Sequence, residues 1–183
     1  MFIYAICEFF GMHIGKIVQA AFLSGMIGCA SQDWHRAHES EMNYIRDSLS
    51  FYMAEVEPLN VDRDGDLILS MLKPRLDVIR QYNPGIFPLS NEERVCLSNQ
   101  FADVAVVYYN RQDYENALEY MQVATSIDGN NYRLFSNLGL IHYARNELPS
   151  AITALERALD LSQGNEGIQQ LLDLVRQEQG LNK

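Results

Sequence analysis

The sequence predicts an all-α fold in which helical hairpins stack side by side, with extra helices ahead of the stack and a capping helix behind it. Three observations predict it. Residues 98–131 and 132–165 match in residue type at a fixed offset of 34, and a period of that size marks a repeated supersecondary unit that cannot bury its apolar face alone. The matched positions hold small residues where two helices of a hairpin would approach most closely. The stretch after the second copy, 166–179, carries Ile168, Leu171, Leu172 and Val175 on one helical face and glutamines and charges on the other, as a helix closing a stack should.

Composition sets the outer limits. A chain of 183 residues with 48% apolar residues predicts one folded domain with an appendage. The formal charge is −10, from 14 basic and 24 acidic side chains, and the basic residues are scattered arginines for the most part. Binding a phosphate backbone or an anionic lipid surface needs clustered Lys and Arg, so nucleic acid is excluded as a partner. Cys7, Cys29 and Cys96 are too widely spaced for a disulfide framework or a zinc knuckle, and Cys96, between Val95 and Leu97, reads as a small buried residue.

From the N-terminus, residues 1–28 are apolar with Glu8, His13 and Lys16 interrupting. The clean run from Ile17 to Gly28 is short of the roughly 20 residues a spanning helix needs. It suits the apolar region of a signal peptide behind a positive charge. Leu23-Ser-Gly-Met-Ile-Gly-Cys29 resembles the end of a bacterial lipoprotein signal, with Met26 a less usual residue in that pattern. Translation from Met12 would give a compact signal of the same kind. The resemblance implies that Cys29 is lipidated and becomes the mature N-terminus. With Ala30 after it, the resemblance further implies the periplasmic face of the outer membrane. An uncleaved anchor and a buried helix are the competing readings.

Residues 29–90 form an N-terminal helical segment. Asp33 can cap a helix whose apolar positions, Trp34, Ala37, Met42, Ile45, Leu49 and Tyr52/Met53, recur near 3.6 spacing. It should end near Glu57-Pro58, because a residue before proline avoids the helical region. His35 and His38, beside Glu39 and Glu41, lack the spacing of a metal site. Asn60-Val-Asp-Arg-Asp-Gly-Asp66 resembles the start of a calcium loop, but Met71 stands where that loop needs a bidentate Glu. An acidic turn capping the next helix at Asp64 or Asp66 is the expectation, and no metal or cofactor is predicted. Leu67 to Tyr82 is a further helix with Leu67, Leu69, Met71, Leu72, Leu76, Val78 and Ile79 as its apolar surface and Pro74 as a kink or a fresh start. A loop through Asn83-Pro-Gly85 follows. Ser90-Asn-Glu-Glu93 is a capping box, and the helix it opens runs to about Asn110.

The region 91–165 holds the two repeats. Phe101 aligns with Phe135, Val104 with Leu138, Ala105 with Gly139, Tyr108 with His142, Ala117 with Ala151, Met121 with Leu155 and Ala124 with Ala158. Arg111-Gln-Asp113 and Arg145-Asn-Glu147 are the turns inside each copy, and Pro149 suits the first turn of its helix. Gly129 and Gly164 can end helices in the left-handed conformation. These residues resemble tetratricopeptide repeats. The second copy is the closer match, and both lack the late proline. The resemblance implies a short right-handed α-solenoid of helical hairpins, with residues 166–183 as capping helix and tail.

No Gly-rich phosphate loop, nucleophile elbow or carboxylate pair is present, so a non-catalytic role is expected. The resemblance implies a concave groove for a protein or peptide segment, lined by the first helix of each repeat. Its residues would be Asn99, Ala102, Asp103, Val106, Tyr109 and Asn110 in the first copy, and Arg133, Ser136, Asn137, Leu140 and Tyr143 in the second. Val106 and Ala102 stand where a clamp for C-terminal carboxylates needs polar ligands. With only two repeats, the alternative is that residues 33–82 fill the groove from within. Together with the lipoprotein signal, the repeats resemble small lipoproteins that assist assembly of pili, secretion channels or outer-membrane and cell-wall machinery. A cytosolic or inner-membrane adaptor and a cell-wall enzyme subunit are the rival classes.

Overall fold

The computed structural model describes residues 38–57, 59–82 and 87–181. The apolar segment 1–28 read as a signal, Cys29, the expected helix start at Asp33, His35 and the expected loop Asn83–Gly85 lie outside the described residues. The chain divides into two units, Met1–Asn43 and Tyr44–Lys183. The described part of the first is the opening turn of one helix, and the second holds the helical stack. Among the described residues all regular structure is helical, and no helix is long and apolar enough to cross a membrane.

Helix α1 spans Glu39–Phe51 and continues into a π-helical turn, Tyr52–Val56. Ile45, Leu49, Tyr52 and Val56 are buried at helical spacing, and the helical run stops just ahead of Pro58, although Glu57 itself keeps helical angles, φ −49° and ψ −36°. The π-turn has no signature in the periodicity. The Glu57 N–H reaches the Tyr52 carbonyl at 2.9 Å, one residue further back than an α-helix would take it. The buried positions 45, 49, 52 and 56 keep ordinary helical spacing, so Tyr52 takes the apolar face and Met53 beside it is left 54% exposed.

Helix α2, Gly65–Gln81, buries Ile68, Leu69, Leu72, Leu76 and Ile79. This stripe is rotated from the expected one. Ile68 is its deepest early member, and Leu67 lies off it, 49% exposed. Pro74 neither starts nor ends a helix but sits inside α2. Pro74 and Ser70, whose carbonyl loses its helical partner, are both exposed, so water can serve that carbonyl. Asp64 occupies the N-cap position without capping by its side chain. Its carboxylate instead accepts from the Asn60 N–H and the Arg63 guanidinium, which hold its pKa down at about 2.

Helix α3, Asn91–Asn110, opens with the expected capping box: the Glu93 N–H donates to Ser90 Oγ at 3.2 Å, and the Ser90 N–H donates to Glu93 Oε2 at 2.8 Å. It begins roughly two turns ahead of Ser98, where the repeat starts. Helices α4 (Tyr114–Ile127), α5 (Tyr132–Ala144) and α6 (Leu148–Leu161) complete two hairpins, α3 with α4 and α5 with α6. The small residues sit where the period puts them: Ala105, Ala117, Ala124, Ala151 and Ala158 are fully buried. Gly139 is the tightest point. A Cβ there would lie 2.7 Å from Leu155 Cγ and 2.8 Å from its Cδ2, inside any tolerable contact.

The period extends to the backbone of the turns. Gln112 and Asn146 both take left-handed conformations, φ 63° and 62°, and end the first helix of each hairpin identically. Gly164 is left-handed at φ 91° as expected, but Gly129 is not. Asp128 closes α4 there, its N–H on the Ala124 carbonyl. Helix α7, Glu166–Leu181, closes the stack by packing Ile168, Leu172 and Val175 against Leu148, Ala151, Leu155 and Ala158.

Side chains of the N-terminal helices bond to the repeat helices. Ser48 Oγ donates to Gln100 at 3.0 Å in a fully buried pair, and Tyr52 OH donates to Asp103 at 2.7 Å. From α2, Asp77 accepts from the Tyr120 hydroxyl, and Arg80 pairs with Glu119 at 2.5 Å. Tyr120 in turn stacks on Tyr108 with ring centroids 5.7 Å apart.

Gly139→Leu, or Ala151→Trp on the facing helix, should overpack this contact and cost about 1–3 kcal/mol. Thermal unfolding of the two variants against wild type measures it, and unchanged midpoints in both would contradict the hairpin register.

Candidate partner-binding surface

Helices α3 and α5, the first helices of the two hairpins, carry every groove residue expected from the sequence. The structure distributes those residues among three environments. Arg133, Ser136 and Asn137 come together with Tyr132, Ile168 and Leu171 around an open cleft of about 360 Å³ between α5 and α7. Here Arg133 is exposed, and its guanidinium lies over the Tyr132 ring at 5.9 Å. Asn99 lines a second cleft, of about 380 Å³, between the π-turn and the extended start of α3.

Val106, Leu140, Tyr109, Tyr143 and Asn110 line neither cleft. Val106 and Leu140 are half-buried. The Tyr109 ring packs on Tyr114 at 5.7 Å, and Asn110 donates to Asp62 at 3.0 Å. The Tyr143 hydroxyl donates to Glu178 of α7 at 2.7 Å, and its ring rests on the core between α6 and α7. The polar ends of Asn110 and Tyr143 are thus engaged within the chain.

The N-terminal helices take part of the expected groove. Ala102 is 7% exposed, and Asp103 lies under the Tyr52 hydroxyl. Burial raises the Asp103 pKa above the usual carboxylate range, and the hydrogen bond from Tyr52 only partly opposes this. Asn99 and Val106 are half-buried.

The second cleft has no counterpart among the sequence expectations. Its lining includes Tyr52, Met53, Glu57, Glu92, Val95 and Cys96. The length of α3 signals that a helix face projects past the repeat, with 92, 95/96 and 99 at helical spacing. Met53 and Glu57 face it from the π-turn. Cys96, expected to be buried, is half-exposed here, and burial raises its thiol pKa.

The acidic turn resembling a calcium loop has its oxygens committed to protein donors. Asn60 Oδ1 accepts from two backbone N–H groups, Asp64 takes Arg63, Asp62 takes Asn110, and Asp66 pairs with Arg111. Among the described residues, no group of three His, Cys, Asp or Glu side chains is placed to hold a metal.

A family profile described as tetratricopeptide repeat matches residues 133–164, which falls within the second hairpin. No curated protein matches the chain. Together with the helical stack, the match gives the chain a tetratricopeptide-type α-solenoid fold. Such repeats mediate protein–protein interaction and bind protein or peptide partners.

Two carboxylates of opposite shift give the stack a testable pH signature. Burial would raise Asp77, but hydrogen bonds from Lys73 and Tyr120 outweigh it and lower its pKa. Its stabilisation is therefore complete above about pH 4 and is lost as pH falls through the folded value. Asp103 is raised, so its carboxylate opposes folding as pH climbs above about 4. Asp103→Asn keeps an acceptor for Tyr52, and its stability relative to wild type should grow as pH rises from that point. Asp77→Asn should instead lose most relative to wild type at neutral pH and converge with it in acid. Denaturant midpoints across the acid range check both slopes.

Proposed function

We propose that this protein is a non-catalytic interaction scaffold of the bacterial cell envelope, held at the periplasmic face of the outer membrane by lipid on Cys29. It assists assembly of a pilus, secretion or outer-membrane and cell-wall machine by holding a partner segment against α3 and α5. The observation that carries the binding role is the tetratricopeptide match at residues 133–164, set in a stack whose first helices leave open clefts. The envelope location rests on the sequence alone: the apolar run after Lys16 and Leu23-Ser-Gly-Met-Ile-Gly-Cys29. In this reading the mature chain begins at Cys29.

Cys29→Ser should abolish incorporation of labelled palmitate and leave an unprocessed precursor. Label entering that variant, or a mature N-terminus upstream of residue 29, removes the anchor from the proposal.

The groove is tested by Tyr109→Ala combined with Tyr143→Ala. Contact tyrosines of this kind are worth about 2 kcal/mol or more of partner affinity. Tyr143 also holds Glu178, so some loss of stability accompanies the change. Affinity and melting temperature are measured on the same variant. A large stability loss with unchanged affinity would place the tyrosines in the fold and not in the binding face.

A further inference from the structure

We infer that the cleft between the π-turn and the start of α3 docks a basic amphipathic segment of a partner protein. An apolar residue of that segment rests on Met53 and Val95, and flanking lysines or arginines reach Glu57 and Glu92. This deepens the scaffold reading and rests on it.

Apolar exposure supplies the first argument. Met53 is 54% exposed and Val95 44%, which makes them two of the most exposed large apolar side chains among the described residues. They lie on different elements yet line one cleft. Single exposed apolar residues need no explanation, but convergence of two from separate elements onto one concave surface marks an interaction site. At about 380 Å³, the space is near the lower end of ligand pockets, enough for one or two side chains and not for a folded domain.

Charge names the occupant. The cleft carries two carboxylates, Glu57 and Glu92, and no cation. Neither carboxylate forms an ion pair with a described residue. The nearby arginines are committed elsewhere: Arg46 to Glu93 at 3.2 Å, and Arg94 to the Leu89 carbonyl at 3.1 Å. The neutral amides of Asn91 and Asn99 complete the wall. An acidic rim around an apolar floor attracts a cationic partner and repels an anionic one. The cleft between α5 and α7 has the opposite bias, because Arg133 is its one charged lining residue. A long segment crossing both would meet them with ends of opposite charge.

The test pans a random peptide library, displayed on phage, on the full chain and on the Glu57→Lys, Glu92→Lys double variant. Both carboxylates are exposed, so the double variant should stay folded, its melting temperature lowered only slightly because a lysine at 92 opposes the helix dipole in the first turn of α3. Peptides selected on wild type should be enriched in Lys or Arg around an apolar residue. Synthesised, they should bind the double variant at least about tenfold more weakly, lose affinity with added salt, and bind Met53→Ser more weakly as well. Equal binding to wild type and double variant overturns the inference. If those peptides respond instead to Tyr109→Ala with Tyr143→Ala, or to Arg133→Glu, the scaffold reading stands and this cleft assignment falls. Failure to select any binder counts against both. Two further outcomes assign a different occupant and overturn the inference. One is a wild-type dimer that the double variant dissolves, which points to a second copy. The other is a photo-crosslinker at Val95 that marks residues 1–37 of its own chain.

Discussion

The approach of α5 to α6 at Gly139 governs how the hairpins can be built. Leu155 fills the space a side chain would need, with its γ-branched carbon 2.7 Å from where a Cβ would stand. With Leu155 placed there, position 139 must be bare backbone. The first hairpin solves the same problem differently. At the equivalent positions it has Ala105 and Met121, both fully buried. An unbranched thioether can bend around a methyl group in a way that a γ-branched leucine cannot. The two copies therefore share a spacing, and each tunes the pair of side chains that sets it. Once the helices of a hairpin are fixed at that distance, the left-handed residues Gln112 and Asn146 turn the chain back identically in each.

Polar contacts, by contrast, bind the N-terminal helices to the repeats. Ser48 with Gln100, Tyr52 with Asp103 and Tyr120 with Asp77 all cross between elements that share no sequence period. Apolar surfaces slide past one another at little cost. A buried hydroxyl facing a buried amide fixes one register, since a slip would strand both groups without partners. Partial burial of Asp103 raises its pKa even though it accepts the Tyr52 hydrogen bond.

The repeats, the capping box, the turn positions and the closing helix are legible in the sequence because each is a local pattern. Spacing alone requires small residues at 105, 117, 139 and 151, and Ser90 with Glu93 is recognisable within four residues. The stripe of α2 differs from its expectation by one position, since Leu67 and Ile68 are equally apolar and only the start of the helix at Gly65 decides which faces inward. The π-turn leaves no trace in composition or period. Tyr52 and Met53 are equally apolar in the sequence, and the structure buries Tyr52 and leaves Met53 exposed. Of the surface residues on α5, Arg133, Ser136 and Asn137 share one cleft, and Leu140 and Tyr143 lie outside it. Tyr143 and Asn110 read from sequence as free contacts, yet their polar atoms have partners 35 and 48 residues away in the chain, separations no local pattern reports.

Both clefts lie where a repeat helix meets an element that is not a repeat, as the ending of a short stack requires. Inside a regular array each first helix packs beside an identical neighbour, so the surface repeats with the sequence. At the ends the neighbours are different. The π-turn, with its extra residue, stands off from the projecting start of α3, and α7 leans on α6 while leaving the N-terminal half of α5 uncovered. The gaps that result are lined by whatever the end elements carry: Met53 and Glu57 at one end, Ile168 and Leu171 at the other. The character of the clefts is therefore set less by the repeats, whose residues are constrained by packing, than by the elements that close them. Two stacks with the same hairpins and different end helices would present different charges to a partner. Here the ends differ, with Glu57 and Glu92 on one side and Arg133 on the other, so the stack presents a surface with a direction.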